Sequence, residues 1–474
     1  MKTLRNAGFA LALSLTLLVG ACSNSPVGTE AAPAASATSP TSDTIDEAAS
    51  ARLATQVRAE ARHAWQGYRT YAWGHDDLAP LSKGHHDWYA ESLLMTPVDA
   101  LDTLIMLGLD KEANEARELI ATRLSFDKDI YVKHFEITIR VLGGLLSGYQ
   151  LTGDPRLLAL ADDLGTRMLP VFDSPSGLPW VDVNLRTGKT RGKISNPAET
   201  GTLLLEYGTL ARLTGKQIYY DKAKRALVET YKRSSEVGLV GDAIDVTTGK
   251  WTGTTAHVGG GIDSYYEYLW KCWKLFDDRD CLDMWNASVG PMNKYLADEI
   301  DGALWYGHAD LRTGKRTRTQ YGALDAFLPG LLAYSGDIPR AARLQDSGFR
   351  MWQLHGIEPE AFDYSKMEVT GAGYPLRPEI VESAWYLHLL DGDPRWRAMG
   401  AQMFADFVKH CRTDAGYAAL KNVVTKQQED SMESFVMAET FKYYWLLFSP
   451  KDALDLDNVV LNTEAHPLKK VAAR

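Results

Sequence analysis

The chain reads as an all-α protein, an (α/α)7 barrel or toroid of helical hairpins whose C-terminal tail forms a plug. Three observations point there. One unit recurs along the body: an amphipathic helix, a short Gly/Asp turn and a second helix. Seven such turns can be counted, the middle ones about sixty residues apart, a spacing proper to stacked helical pairs. The last turn is not followed by a good helix, so the final helix is left to pair with the first and close the ring.

Taken in order, the helices span about 45–72, 97–108, 111–124, 135–152, 155–170, 196–214, 217–234, 261–276, 279–297, 321–335, 338–354, 377–391, 394–412 and 432–448. The turns are Gly108-Leu109-Asp110, Gly153-Asp154-Pro155, Gly215-Lys216, Asp277-Asp278, Gly336-Asp337, Asp391-Gly392-Asp393-Pro394 and Ser449-Pro450. Gly accepts the left-handed conformation that ends a helix, and Asp followed by Pro caps and opens the next. Between turns the apolar spacing is helical, as in Ile137, Val141, Leu142, Leu145 and Leu146. An open solenoid shares this periodicity. The long connections Gly177–Asn184, Ala303–Gly307 and Gly356–Tyr374 favour a closed ring with insertions gathered at one mouth. The segment Asp457–Glu464 is β-like and suited to enter the ring.

Residues 1–21 are read as a signal, with Lys2 and Arg5 before an apolar run from Phe9 to Val19 that is short for a membrane span. Leu18-Val19-Gly20-Ala21-Cys22 resembles a bacterial lipobox, implying cleavage before Cys22 and acylation there; Ser23 suits the outer membrane rather than the inner. Residues 22–43 form a Ser/Pro/Ala/Thr tether, 44–467 the folded domain and 468–474 a solvated tail that includes Lys469 and Lys470. The expected product is an exported, periplasmic or cell-surface lipoprotein, held as a monomer. A net charge of −10 excludes a basic nucleic-acid-binding face. Cys272 and Cys281 flank one helix–turn–helix corner, where an exported chain can bridge them; the cysteines lack zinc-site spacing.

The acids carry the functional signal. Asp99, Glu136, Glu199, Asp263, Glu379 and Glu439 each fall in or near the first turns of the first helix of a hairpin. A ring would aim all of them at one end, an arrangement that is costly unless something is bound. A single acid there is better explained by the helix macrodipole; that explanation weakens for the set, because Phe135-Glu136-Ile137 and Ala438-Glu439-Thr440 set their acids in apolar company. Glu136 with Arg140, and Asp263 with Glu267, share helical faces four apart. Arg377 and Glu382 put attraction and repulsion around Glu379, and Phe435 offers a stacking face one turn before Glu439. Paired carboxylates and aromatic platforms without a Ser-His-Asp pattern suggest glycosidic chemistry. His85-His86-Asp87 reads as a loop or sugar contact rather than a metal site, and Gly259-Gly260-Gly261 as a flexible helix entry.

On six motifs the chain resembles glycoside hydrolase family 47 over about residues 60–467. They are Thr96–Thr103, Phe135–Ser147, Asp263–Leu269, Leu376–Ser383, Met432–Thr440 and Asn462–Pro467, in family order. The resemblance implies an inverting, Ca2+-dependent α-1,2-mannosidase that trims mannose-containing oligosaccharides, with a C-terminal β-hairpin plugging the barrel. It implies Glu136 as general acid, acting through a water, with Asp263 the other candidate for that role, and Glu379 as general base. It makes Thr463 the direct Ca2+ ligand, with waters held by Glu199, Glu382, Glu439 and Glu464. Arg377, Phe435 and Glu439 would line the terminal sugar's subsite, and Arg140 would orient the acid. Gly261 replaces an Arg that influences branch choice in many relatives, and Ala323 and Ala326 replace a His and a disulfide Cys. Two other readings stand beside this one: a glycan-binding relative that has lost catalysis, and an (α/α)6-type glycosidase of other linkage specificity.

Overall fold

The computed structural model describes residues 45–471. The expected signal, tether and Cys22 anchor lie outside these residues. Fourteen helical segments follow one another among the described residues, counting stretches that run on or break briefly as one and leaving aside the single 3-10 turn Lys451–Ala453. They are α1 (Glu47–Tyr71), α2 (Met95–Met106), α3 (Asp110–Arg123), α4 (134–152), α5 (Pro155–Met168), α6 (197–214) and α7 (Ile218–Tyr231). Then come α8 (Asp263–Phe276), α9 (Arg279–Tyr295), α10 (324–334), α11 (Ile338–His355), α12 (Glu379–Asp391), α13 (Arg395–Cys411) and α14 (436–448). The even-numbered helices form the inner ring and the odd-numbered ones the outer; α14 packs on both α2 and α1, which closes seven pairs into an (α/α)7 barrel.

The two rings differ in how they bury side chains, and the sequence shows why. In α12 every residue from Ile380 to His388 is buried. Its outer partner α13 buries Trp396, Arg397, Gly400, Met403, Phe404, Phe407 and Cys411, one stripe at helical spacing. Capping follows the expected chemistry. Asp154 accepts from the Arg156 amide at 3.1 Å and Asp278 from the Asp280 amide at 3.0 Å, while Gly153, Gly215 and Gly392 end their helices in the left-handed conformation. Cys272 and Cys281 are joined in a disulfide across the α8–α9 corner, and Cys411 is free and buried.

Short strands occupy the connections, in sheets of two or three. The last pair, Val459–Leu461 with Pro467–Lys469, is an antiparallel hairpin against α4 and α8, and its tip sits inside the ring. This strand extends two residues past the expected domain boundary at 467. Leu468 is fully buried, and Lys469, read as tail, donates from Nζ to the Gln150 carbonyl at 2.9 Å.

A buried polar network fixes that tip. Lys442 on α14 pairs with Asp102 on α2 at 2.8 Å, both side chains fully buried, and donates to the Ala465 carbonyl at 2.6 Å. His466 lies 2.7 Å from Asp102 and 3.2 Å from Asp99. Asn462 donates to the Ile139 carbonyl at 2.9 Å and to Glu206 at 2.7 Å, while its Oδ1 accepts from the Glu464 and His466 amides. The Ile139 carbonyl lies within a π-helical turn, Ile137–Leu142, one of two in the inner ring; Val436–Thr440 is the other. A π turn displaces the backbone from the i−4 ladder, and such turns cluster at functional sites.

Candidate functional site at the barrel mouth

The N-terminal turns of five inner helices and the hairpin tip enclose a cavity of about 270 Å3. Glu136 comes from α4, Glu199 from α6, Asp263 from α8, Glu379 and Glu382 from α12, and Glu439 from α14. Arg140, Arg377, Phe435, Thr463 and Glu464 complete its wall and floor, so every site residue expected from the sequence lines this one cavity. Asp99 is the exception among the six helix-start acids. It is fully buried beneath the cavity, held by Ser434 and His466, and is part of the plug's foundation.

The cavity wall carries eight carboxylates against three cations, Lys133, Arg140 and Arg377. Arg140 donates through Nε to Glu136 at 3.1 Å and through a terminal nitrogen to Glu464, tying the acid side to the plug. Its guanidinium also lies over the rings of Trp88 at 5.4 Å and Phe435 at 5.6 Å. Arg377 also approaches the Phe435 ring, at 5.5 Å, so two cations lie near it. The hydrogen bonds of Arg377 go to Glu360, at 2.8 and 3.1 Å in a fork, and not to Glu379. Glu199 is held by Lys133 at 2.7 Å and Ser195 at 2.9 Å, Glu267 by Lys271, and Glu382 by Tyr443 at 3.0 Å.

Glu379 differs from these neighbours, because its Oε2 is buried with no hydrogen-bond partner. Burial pushes its carboxyl up to about 8; Arg377 opposes the shift while Glu360 and Glu382 reinforce it. Burial likewise raises Asp263 to about 7, against the Ser264 amide that favours its charged form. Glu382 rises to about 8 and Glu464 to about 7, each through burial and against an opposing cation. Such a cluster holds protons, or a cation, at neutral pH. The donors are all oxygens, with no His or Cys in the wall, which suits a hard ion and not zinc.

Several participants were invisible as site residues in the sequence. Lys133 and Glu360 lie in connecting segments whose spacing carries no helical signal. Asp325, at the start of α10, is buried near Asp263 with one unpartnered oxygen, and burial and Asp263 push it to about 8. Glu358 is fully buried with both oxygens unpartnered, and burial and the Glu379 charge push its carboxyl well above the usual range. Gly261 lines the cavity with a positive φ of 90°, so the open space there follows from both the missing side chain and the backbone. Ala326, where relatives have a Cys, is buried in the core.

Comparison with known proteins agrees with this geometry. An α-1,2-mannosidase from Trichoderma reesei superposes with a TM-score of 0.83 at 27% identity, covering 89% of this chain and 99% of its own. Alpha-mannosidase I MNS4 of Arabidopsis thaliana is 38% identical over 426 residues, covering 87% of this chain and 67% of the relative. Mannosyl-oligosaccharide 1,2-alpha-mannosidase MNS1 of the same plant is 36% identical over 442 residues, covering 88% and 78%. The Glycosyl hydrolase family 47 profile matches residues 60–470. The chain is therefore a glycoside hydrolase and belongs to glycosyl hydrolase family 47.

Proposed function

We propose that the protein is an exo-acting α-1,2-mannosidase that removes terminal α-1,2-linked mannose from mannose-rich glycans with inversion, with Ca2+ bound at the hairpin tip. One observation carries the reading: Glu136, Asp263 and Glu379 share a single cavity whose floor is the plug residue Thr463. A cavity closed at its floor admits a chain end and not the middle of a chain. Seven hairpins set aside the six-hairpin alternative.

In this reading a carboxylic acid on the Glu136/Asp263 side donates its proton to the glycosidic oxygen as the C1–O bond breaks. Glu379 in its ionised form takes a proton from the water that attacks C1 from the opposite face, and the configuration inverts; burial disfavours that form and the Arg377 charge favours it. The raised Asp263 carboxyl suits a proton donor at neutral pH. Phe435, with the Arg140 and Arg377 guanidinium groups 5.6 and 5.5 Å from its ring, offers an apolar surface to a sugar face. Thr463 would hold the ion directly, and Glu199, Glu382, Glu439 and Glu464 would hold its waters; the orphan oxygen of Glu379 and the excess of carboxylates fit a divalent cation. When bound, Ca2+ supplies a flexible oxygen coordination shell able to accept a vicinal diol.

The test is hydrolysis of α-1,2-, α-1,3- and α-1,6-mannobiose. Only the first is cleaved, EDTA abolishes turnover, added Ca2+ restores it, and NMR shows β-mannose as the first product. Turnover undiminished by chelation, or α-mannose first, overturns the proposal. Export as a Cys22-acylated monomer belongs to the same reading, supported by the lipobox-like segment and by a disulfide, which persists in oxidising compartments. Cys22→Ala should shift the protein from the membrane to the soluble fraction.

A further inference from the structure

Among the described residues the reaction leaves unused one cluster of metal-ligating side chains besides the disulfide corner of Cys272 and Cys281. His75, His85 and Asp87 bring one ligand atom each to within 4.8 Å of one another, away from the carboxylate cavity. The imidazoles of His75 and His85 are stacked, with centroids 3.4 Å apart at 15°, and Asp87 Oδ2 lies 2.9 Å from His75 Nδ1. His85 and His86 alternate on the strand Gly84–His86, so His86 faces away. The second imidazole comes instead from a residue ten positions earlier, brought close by the Asp77–Ala79 hairpin partner.

The backbone beneath the cluster is fixed before any ion arrives. The His75 carbonyl accepts from Tyr68 at 2.7 Å, and its amide donates to the Ala72 carbonyl at 2.9 Å. Asp87 uses its other oxygen to accept the Asp76 amide at 2.9 Å. Asp76 is itself fully buried and gathers the Trp88, Leu93 and Met95 amides and the Ser92 hydroxyl, at 2.8–3.2 Å. Orientation of a ligating carboxylate by a second hydrogen bond is the usual support of a metal site.

We propose that His75, His85 and Asp87 bind one divalent transition ion of the zinc class, with water in the remaining position. Two imidazoles and one carboxylate match zinc's preference, with bonds of about 2.0–2.2 Å and hence ligand atoms about 3.4 Å apart in a tetrahedron. Here His75 Nδ1 and Asp87 are hydrogen-bonded at 2.9 Å and the two imidazoles are stacked, so the ion replaces the proton between His75 and Asp87 and exposed His85 turns out of the stack to aim its nitrogen at it. Calcium does not compete, because nitrogen ligands are soft for it. The ion clamps the 84–86 strand to the turn after α1. Trp88, which follows Asp87, lies against the Arg140 guanidinium of the cavity wall, so the clamp steadies a strut of the active site.

Zn2+ is titrated calorimetrically into the full chain in buffer saturated with Ca2+, alongside His85→Ala. The side chain of His85 makes no hydrogen bond among the described residues, so the variant keeps the fold, which circular dichroism checks. One equivalent should bind the parent, with affinity at least tenfold weaker in the variant, and Zn2+ should raise the melting temperature of the parent alone. Co2+ should give a nitrogen-ligated visible spectrum that His75→Ala removes. Absence of stoichiometric Zn2+ binding, or binding unchanged in His85→Ala, overturns the proposal. Loss of α-1,2-mannobiose hydrolysis on Ca2+ removal is a separate readout, so the two proposals fail independently.

Discussion

Asp102→Asn should loosen the plug, and its size can be worked from the buried network. Burial opposes a charged imidazole at His466, but the charge and hydrogen bond of Asp102 prevail and lift it to about 9. Raising a histidine from 6.5 to about 9 is worth about 3 kcal/mol of folding free energy. The sign follows from the raised value: this stability is fully present below pH 6.5 and is lost as pH rises through 9. Burial likewise opposes the Asp102 carboxylate, yet Lys442 and His466 hold it down to about 2, so its share is present above about 4 and lost only as pH falls toward 2. Replacing the carboxylate by an amide leaves the Lys442 ammonium fully buried without a counter-charge at the position of Asp102. Breaking a buried pair from one side costs about 3–5 kcal/mol.

For a folded domain of this length the unfolding entropy is about 0.9 kcal/mol/K, so the melting temperature should fall by about 3–6 °C. Calorimetry at pH 6 and pH 9 checks it. The parent should lose stability between these values, and the variant should be flatter. Asp102→Asn combined with Lys442→Met should recover most of the loss, because no orphan charge remains. A single variant melting within about 1 °C of the parent, or a pH slope unchanged, would refute the network's role in seating Thr463.

Glu379→Gln should lower kcat on α-1,2-mannobiose by about 10²–10⁴-fold with KM changed by less than a few-fold; a near-normal rate removes Glu379 as base. The general acid must be protonated, so the basic limb of the parent profile should lie near pH 7 if Asp263 donates, activity falling as pH rises. Comparing pH profiles of Asp263→Asn and Glu136→Gln then separates the two acid candidates by which variant abolishes that limb. Gly67→Ala should destabilise by about 3 kcal/mol or more, since its Cβ would stand 1.5 Å from the Ala415 carbonyl oxygen where α1 meets the 412–417 hairpin; urea melts measure it.

Helical spacing and turn residues were enough to place all fourteen helices, because each hairpin buries an apolar stripe and caps its own ends within one short stretch of chain. The acids at the first turns of the inner helices were legible for the same reason: their position along a helix fixes which end of the barrel they face. The depth of each acid was decided by tertiary packing. Asp99 has the same helix-start position as Glu136, yet the plug's His466 and Ser434 claim it, and no local pattern can show a contact more than 330 residues away. The π turns at 137–142 and 436–440 are likewise absent from the periodicity, since they arise where Asn462 captures the Ile139 carbonyl and where α14 meets the cavity. The partnering of Arg377 with Glu360, and of His75 with His85 and Asp87, spans only 10 to 17 residues, but it runs through connections and a hairpin register that helical spacing does not show. Local chemistry determined the helices and the set of acids; the folded ring alone determined which of them meet, and therefore which are charged.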